Sequence, residues 1–68
     1  MINTNELRAR IVGKGMTQAQ VAQSLSMSSK TFSLRMKKGV FGSDEIEKMI
    51  EILDIADPLP IFFAEKET

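Results

Sequence analysis

The sequence predicts an all-α fold of four helices followed by one short helical turn. Apolar residues recur at helical spacing, most regularly at Ile46, Met49, Ile50 and Leu53, which fall at i, i+3, i+4 and i+7. Residues that favour helix N-termini precede the apolar segments, and no stretch alternates apolar and polar residues as a strand would. We therefore expect a bundle of four to five helices without a sheet.

The length and composition indicate one domain, residues 1–68. With 43% hydrophobic and 26% charged residues, the chain has the composition of a globular protein near the lower size limit for a stable core. Cys and His are absent, which excludes disulfides, thiolate or imidazole metal sites and catalysis by either side chain. We expect no metal, no cofactor and no evident small-molecule ligand.

The chain carries no membrane or export signal that we can identify. Its longest apolar stretch, around Ile61, Phe62 and Phe63, is far too short to cross a bilayer. The N-terminus lacks the basic and apolar regions of a signal peptide. We expect a cytoplasmic protein without a membrane partner.

The first helix is predicted over residues 4–13. Asn3 stands three residues before Glu6, which is the spacing of a helix N-cap, and Leu7 and Ile11 form the apolar stripe. Two glycines then end the segment.

The second helix is predicted over residues 18–25. Thr17 and Gln20 form a capping box, and Met16 and Val21 occupy the positions of a hydrophobic staple around it. This helix has about two turns.

The third helix is predicted over about residues 28–38. Ser28 is its cap, Phe32 and Met36 share its inward face, and Gly39 ends it. Its exposed positions carry small hydroxyl residues and bases.

The last third of the chain contains the fourth helix, capped by Ser43 or Asp44, and a C-terminal segment over residues 57–64. We expect Asp57 to cap one helical turn there, followed by a frayed acidic tail. The apolar residues of this region exceed what so small a core needs, so we expect them to form the contact surface of a dimer; they are Phe41, Leu59, Ile61, Phe62 and Phe63.

Charge is divided between the two halves of the chain, although the formal net charge is zero. Residues 7–38 contain seven bases and no acid, whereas residues 39–68 contain eight acids and two bases. This pattern is typical of a nucleic-acid-binding face backed by an acidic surface. Two differently solvated faces are the plainer interpretation.

The connection between the second and third helices consists of only three residues, 26–28. So short a turn forces two short helices to cross steeply instead of running antiparallel. Ala22 is small where the helices approach closely. These features predict a helix-turn-helix over about residues 17–38.

At this point the chain resembles the phage-repressor and Cro-like helix-turn-helix regulators of the XRE type, especially short phage and prophage forms from Gram-positive bacteria. The resemblance covers nearly the whole chain and rests on LRARIVGKGMTQAQVAQSLSMSSKTFSLRMKKG, SDEIEKMIEILDI and, to a lesser extent, IFFA. Residues 15–18 match the helix-entry motif and residues 28–36 the recognition helix. The resemblance implies a lambda-repressor-like bundle and sequence-specific binding of double-stranded DNA in transcriptional regulation.

Two positions depart from the family pattern. Ser26 stands where many members have Gly in a left-handed backbone, which predicts a cost of about 1 kcal/mol. Arg35 stands where members often have an apolar residue, so either Met36 takes the core position or the helix is slightly rotated.

A helix that enters the major groove needs short polar side chains near its N-terminus, because its backbone comes close to the base edges. The predicted base contacts are Ser29, Lys30, Ser33 and, toward a thymine methyl, Leu34. The predicted phosphate contacts are Gln18, Ser28, Lys37 and Lys38. A solvated helix end explains the last two lysines equally well, and Ser28 is a cap in either case.

One helix-turn-helix reads only a few base pairs, so we expect a homodimer, formed in solution or only on DNA, and a palindromic operator. An enzyme is disfavoured, because so small a bundle has little interior for a pocket. The alternative is a protein-interaction module, such as an anti-repressor or an antitoxin, with the same fold.

Overall fold

In the computed structural model, residues 2–63 are described, and they form five helices and no strand. The helices are α1 (Thr4–Gly13), α2 (Gln18–Ser24), α3 (Ser29–Lys38), α4 (Ser43–Ile52) and α5 (Leu59–Phe62). The all-α prediction is confirmed. The predicted acidic tail and the last residue of the 57–64 segment lie outside the described residues.

The first three helices begin with the predicted caps. The side chains of Asn3, Thr17 and Ser28 each accept a hydrogen bond at 3.1 Å from the backbone N–H three residues on. Gln20 completes the capping box, since its Oε1 accepts from the Thr17 N–H at 2.8 Å. Local sequence therefore determines where these helices start.

The predicted caps of the last two helices are wrong by one or two residues. The N-cap of α4 is Gly42, not Ser43 or Asp44, and its N–H donates to Glu45 Oε1 at 2.8 Å. The N-cap of α5 is Pro58, not Asp57, and it makes no side-chain capping bond. Pro fits there because the first turn of a helix needs no intrahelical N–H donor.

Four helices end in the same way. The residues Gly15, Ser26, Gly39 and Asp54 follow α1 to α4 and adopt left-handed backbone with φ of 76°, 60°, 72° and 57°. In each case this residue donates its N–H to the carbonyl three residues back, and the next residue donates to the carbonyl five residues back, over 2.9–3.2 Å. This is the Schellman termination of a helix. Ser26 is therefore left-handed as predicted, whereas Asp54 was not anticipated.

The residue after each left-handed position is apolar, as is common in this motif. Ile55 is buried, and Met16 and Met27 pack half-buried against the core. Val40 differs, because 62% of its surface is exposed.

The core lies between all five helices and includes Leu7, Val21, Phe32, Met49 and Ile61 as fully buried side chains. Phe32 packs against Phe41 with ring centroids 5.4 Å apart and an interplanar angle of 51°. Met36 is buried and Arg35 only half-buried, so Met36 takes the core position on α3.

The N-terminal segment joins α3 to α5. The Ile2 N–H donates to the Gly39 carbonyl at 3.2 Å, and the Asn3 N–H donates to the Ile61 carbonyl at 2.7 Å. The Ile2 side chain is buried. These two hydrogen bonds hold the end of α3 and the short α5 on the same side of the core.

The expected apolar dimer surface of the C-terminal third is largely absent. Phe41, Ile61 and Phe62 are buried within the single chain, because they cover the open side of the core. Only Leu59, 63% exposed, and Phe63, 55% exposed, remain at the surface.

The left-handed backbone at Ser26 predicts that Ser26→Gly stabilises the protein by about 0.5–1 kcal/mol, since glycine adopts this conformation without a Cβ clash. The control is Ser33→Gly, on the exposed face of α3, which should cost about 1 kcal/mol. Urea unfolding followed by far-UV circular dichroism measures both. Equal destabilisation by the two substitutions would contradict the assigned backbone of Ser26.

The packing of α2 against α3 predicts that two alanines of α2 differ in how well they tolerate a larger side chain. Ala22 is buried in α2, so Ala22→Leu should overpack the helix contact and cost about 1–3 kcal/mol. Ala19 is exposed on the same helix, and Ala19→Leu should change stability by less than about 0.5 kcal/mol. Thermal melts of both variants test this, and similar losses would show that Ala22 is not at a close contact.

Candidate nucleic-acid interface

The candidate interface is the exposed side of α3 together with the turn that precedes it. Residues 25–28 join α2 to α3, and the two helices pack directly against each other. The turn is one residue longer than predicted, because α2 ends at Ser24. The Met27 N–H closes it by donating to the Ala22 carbonyl at 3.0 Å. The direction of α3 is therefore set by a short, hydrogen-bonded turn.

One face of α3 collects four of the predicted site residues. Lys30, Ser33, Leu34 and Lys37 are exposed and fall at i, i+3, i+4 and i+7, which is one stripe along a helix. We call this stripe the α3 face. Phe32 and Met36 occupy the opposite side, in the core. Ser29 is exposed at the first residue of α3, beside the start of the stripe.

The bases of this region fall into two groups. Arg10, Lys14 and Arg35 pair with Glu6, Asp54 and Glu45 at 3.1, 3.7 and 2.7 Å. Arg8 on α1 and Lys30, Lys37 and Lys38 on α3 form no ion pair within residues 2–63, although Arg8 Nη1 donates to Asn5 Oδ1 at 3.1 Å. Three of these four bases without an ion pair therefore lie on α3.

Ser28 is less available to a ligand than its sequence position suggests. Its Oγ accepts from the Thr31 N–H at 3.1 Å and donates to Thr31 Oγ1 at 3.0 Å. The Ser28 hydroxyl is thus used in capping α3. Of the first-turn N–H groups of α3, those of Ser29 and Lys30 remain without a helical acceptor.

Gln18 lies apart from the α3 face, whereas Lys38 lies on its flank, one turn after Leu34. Gln18 is the first residue of α2 and is half-buried. Lys38 is exposed on the flank of α3, where it lines an open groove of about 380 Å³ together with Thr31, Leu34, Arg35 and Val40. Of the eight predicted residues, four form the stripe, Ser29 and Lys38 flank it, Ser28 caps α3 and Gln18 lies on α2.

The pair between Arg35 and Glu45 is a feature that sequence reasoning missed. Glu45 Oε1 accepts from Arg35 Nη1 at 2.7 Å and from the Gly42 N–H at 2.8 Å. One carboxylate oxygen therefore caps α4 and holds the side of α3. The ten-residue separation gave no local signal for this contact.

A cleft of mixed charge lies beside the turn. A cleft of about 220 Å³ between the turn and α4 is lined by Ser24, Leu25, Ser26, Asp44, Glu45 and Lys48. Glu45 is paired with Arg35, and Lys48 lines the cleft with Asp44, so the cleft offers a phosphate no net attraction, whereas the lysines of α3 do. The two surfaces therefore favour one side of the turn for a polyanion.

Within residues 2–63, no three acidic side chains come together as a metal site, and no helix has the length and apolar character needed to cross a membrane. No protein-family model, curated protein or solved structure matches this chain.

The double role of Glu45 predicts that Glu45→Ala destabilises the fold by about 1 kcal/mol more than Glu51→Ala, an exposed position on the same helix. Glu45→Gln keeps an acceptor for the Gly42 N–H but loses the charge, so its effect should be intermediate. Urea unfolding measures all three. Equal stability of the two alanine variants would mean that the contact contributes nothing.

Proposed function

We propose that this chain is a sequence-specific double-stranded DNA-binding protein that regulates transcription, and that α2 and α3 are its helix-turn-helix. In this proposal the chain is a small lambda-repressor-like bundle of the phage repressor or Cro type, with no catalytic role. The α3 face is inserted in the major groove, where a helix can reach the base edges.

The observation that carries the proposal is the composition of the α3 face. Two lysines, a serine and a leucine lie in one exposed stripe, and the neighbouring acids are paired or lie on α4. Small hydroxyls allow close approach to base edges, and lysines bind guanine acceptors or phosphates. No acid occurs over residues 7–38, so α3 itself carries no carboxylate that would repel phosphate.

Within this proposal each residue has a separate task. Lys30, on the first turn of α3, reads guanine O6 and N7, while Ser29 and Ser33 contact neighbouring base edges. Leu34, 51% exposed, contacts a thymine methyl. Lys37 lies about two helical turns after Lys30. It binds phosphate as a point charge.

A protein-interaction module, such as an anti-repressor or an antitoxin, is the second candidate, and the apolar groove beside α3 favours it. The salt dependence of binding distinguishes the two functions. DNA binding through lysines releases counterions, so retention on mixed duplex DNA at low salt should be lost by about 0.5 M salt. Absence of retention at low salt would overturn the DNA proposal, and salt-insensitive binding to a protein would favour the module.

Lys30 and Lys37 form a matched pair, since the same side chain occurs twice on one stripe. Lys30→Ala should lose about 1–3 kcal/mol on the preferred operator and relax the preference at one base pair. Lys37→Ala should weaken binding to all duplexes alike and lower the salt slope by about one phosphate contact per subunit.

The operator is first selected from random duplexes, and both variants are then titrated with it, with its single-base variants and with random DNA over a range of salt. Equal losses on every duplex for Lys30→Ala would mean that this residue only positions the protein. Sequence would then be read by other residues or through DNA shape.

A further inference from the structure

The flank of α3 carries a second row of polar side chains beside the α3 face. Thr31, Arg35 and Lys38 fall at i, i+4 and i+7, and all three line the groove of about 380 Å³ together with Leu34. We call these three residues the flank row. The major groove is about 12 Å wide, and a helix with its side chains is about 10–12 Å across. The flank of a helix that enters the groove therefore lies next to backbone phosphates.

The two bases of the flank row differ in what they bond to. Lys38 is exposed and forms no ion pair within residues 2–63. Arg35 Nη1 donates to Glu45 Oε1 at 2.7 Å, and the Arg35 side chain is 40% exposed. Arg35 is thus accessible to an external anion, although a carboxylate of α4 already balances its charge.

The Glu45 carboxylate is held in place independently of Arg35. The same oxygen accepts from the Gly42 N–H at 2.8 Å, and the Glu45 side chain is only 22% exposed. Among the three ion pairs of residues 2–63 this one is the shortest and has the least exposed acid, since Glu6 and Asp54 are 44% and 85% exposed. A carboxylate that is already fixed loses little further side-chain entropy on pairing. A competing anion therefore displaces Glu45 less readily than the other two acids.

Glu45 and a DNA phosphate compete for the same guanidinium. Arginine binds phosphate best through two parallel N–H donors. If Arg35 turned fully to a phosphate, Glu45 would remain on Gly42 as a largely buried charge without its partner. If Arg35 kept both partners, the carboxylate would lie within one guanidinium group of the phosphate and repel it. In either arrangement Glu45 offsets what Arg35 gains from the phosphate.

We infer that Glu45 keeps Arg35 from contributing to phosphate binding and so limits the affinity of α3 for DNA of any sequence. The inference rests on the proposed DNA-binding function. Phosphate contacts carry no sequence information, whereas contacts to base edges do. With Arg35 engaged, a larger share of the binding free energy comes from the α3 face. Glu45 is therefore a positioning residue that acts through Arg35.

Glu45→Gln tests this, because glutamine keeps an acceptor for the Gly42 N–H but removes the charge that holds the arginine. The matched control is Glu51→Gln. Glu51 is exposed on α4 and forms no ion pair within the described part of the chain, so its substitution removes one negative charge without freeing a base. Both variants and the wild type are checked for folding by circular dichroism and titrated with random duplex DNA over a range of salt.

Glu45→Gln should bind random duplex about five- to ten-fold more tightly than the wild type at about 0.1 M salt. Its salt slope should increase by about one phosphate contact per subunit, because Arg35 becomes available. Glu51→Gln should change the affinity by less than about two-fold, since an exposed distant charge is screened. Equal effects of the two variants would overturn the inference. Weaker binding by Glu45→Gln would overturn it too, since Glu45 would then present Arg35 to the phosphate.

The Arg35→Gln background separates the role of Arg35 from a change in the fold. In this background Glu45→Gln should gain no more affinity than Glu51→Gln, since the arginine that it would free is absent. A gain that persists without Arg35 would contradict the inference. If the wild type does not bind random duplex at low salt, the proposed function fails and the inference fails with it. If the wild type binds and Glu45→Gln binds no more tightly, the inference alone fails.

Discussion

The fold depends on one repeated constraint, the left-handed residue that ends each of the four longer helices. A helix that stops in this way satisfies its last carbonyls and reverses direction within a few residues. The next helix then starts close to the previous one, so that 68 residues suffice to enclose a core of thirteen buried apolar side chains. The position of α3, and with it the α3 face, follows from the reversal at Ser26.

Sequence signals locate structure well where a side chain supplies the signal locally. Asn3, Thr17 and Ser28 cap their helices by bonds to residues three positions away, and such bonds are readable from spacing. Gly42 caps α4 without a side chain, and Asp54 is left-handed without being glycine. Glu45 lies at capping-box spacing from Gly42, but Gly42 has no capping side chain and Asp54 is not glycine, so neither position carries the usual sequence signal.

The candidate site likewise has features that local sequence predicts and features that depend on tertiary contacts. The α3 face follows from helical period and from the burial of Phe32 and Met36, which sequence pattern predicts. The pairing of Arg35 with Glu45 and the exposure of Val40 depend on how α3 meets α4 across ten residues of chain. The dimer surface was predicted from an excess of apolar residues, but Phe41, Ile61 and Phe62 are needed to close the core.

The hydrogen bonds that terminate the helices also bear on how quickly the chain folds. Each termination joins residues no more than five positions apart, so little loop entropy is lost before it forms. Helical proteins with such local contacts fold on the order of microseconds to milliseconds. Folding on this timescale is much faster than synthesis, which adds on the order of 10 residues per second.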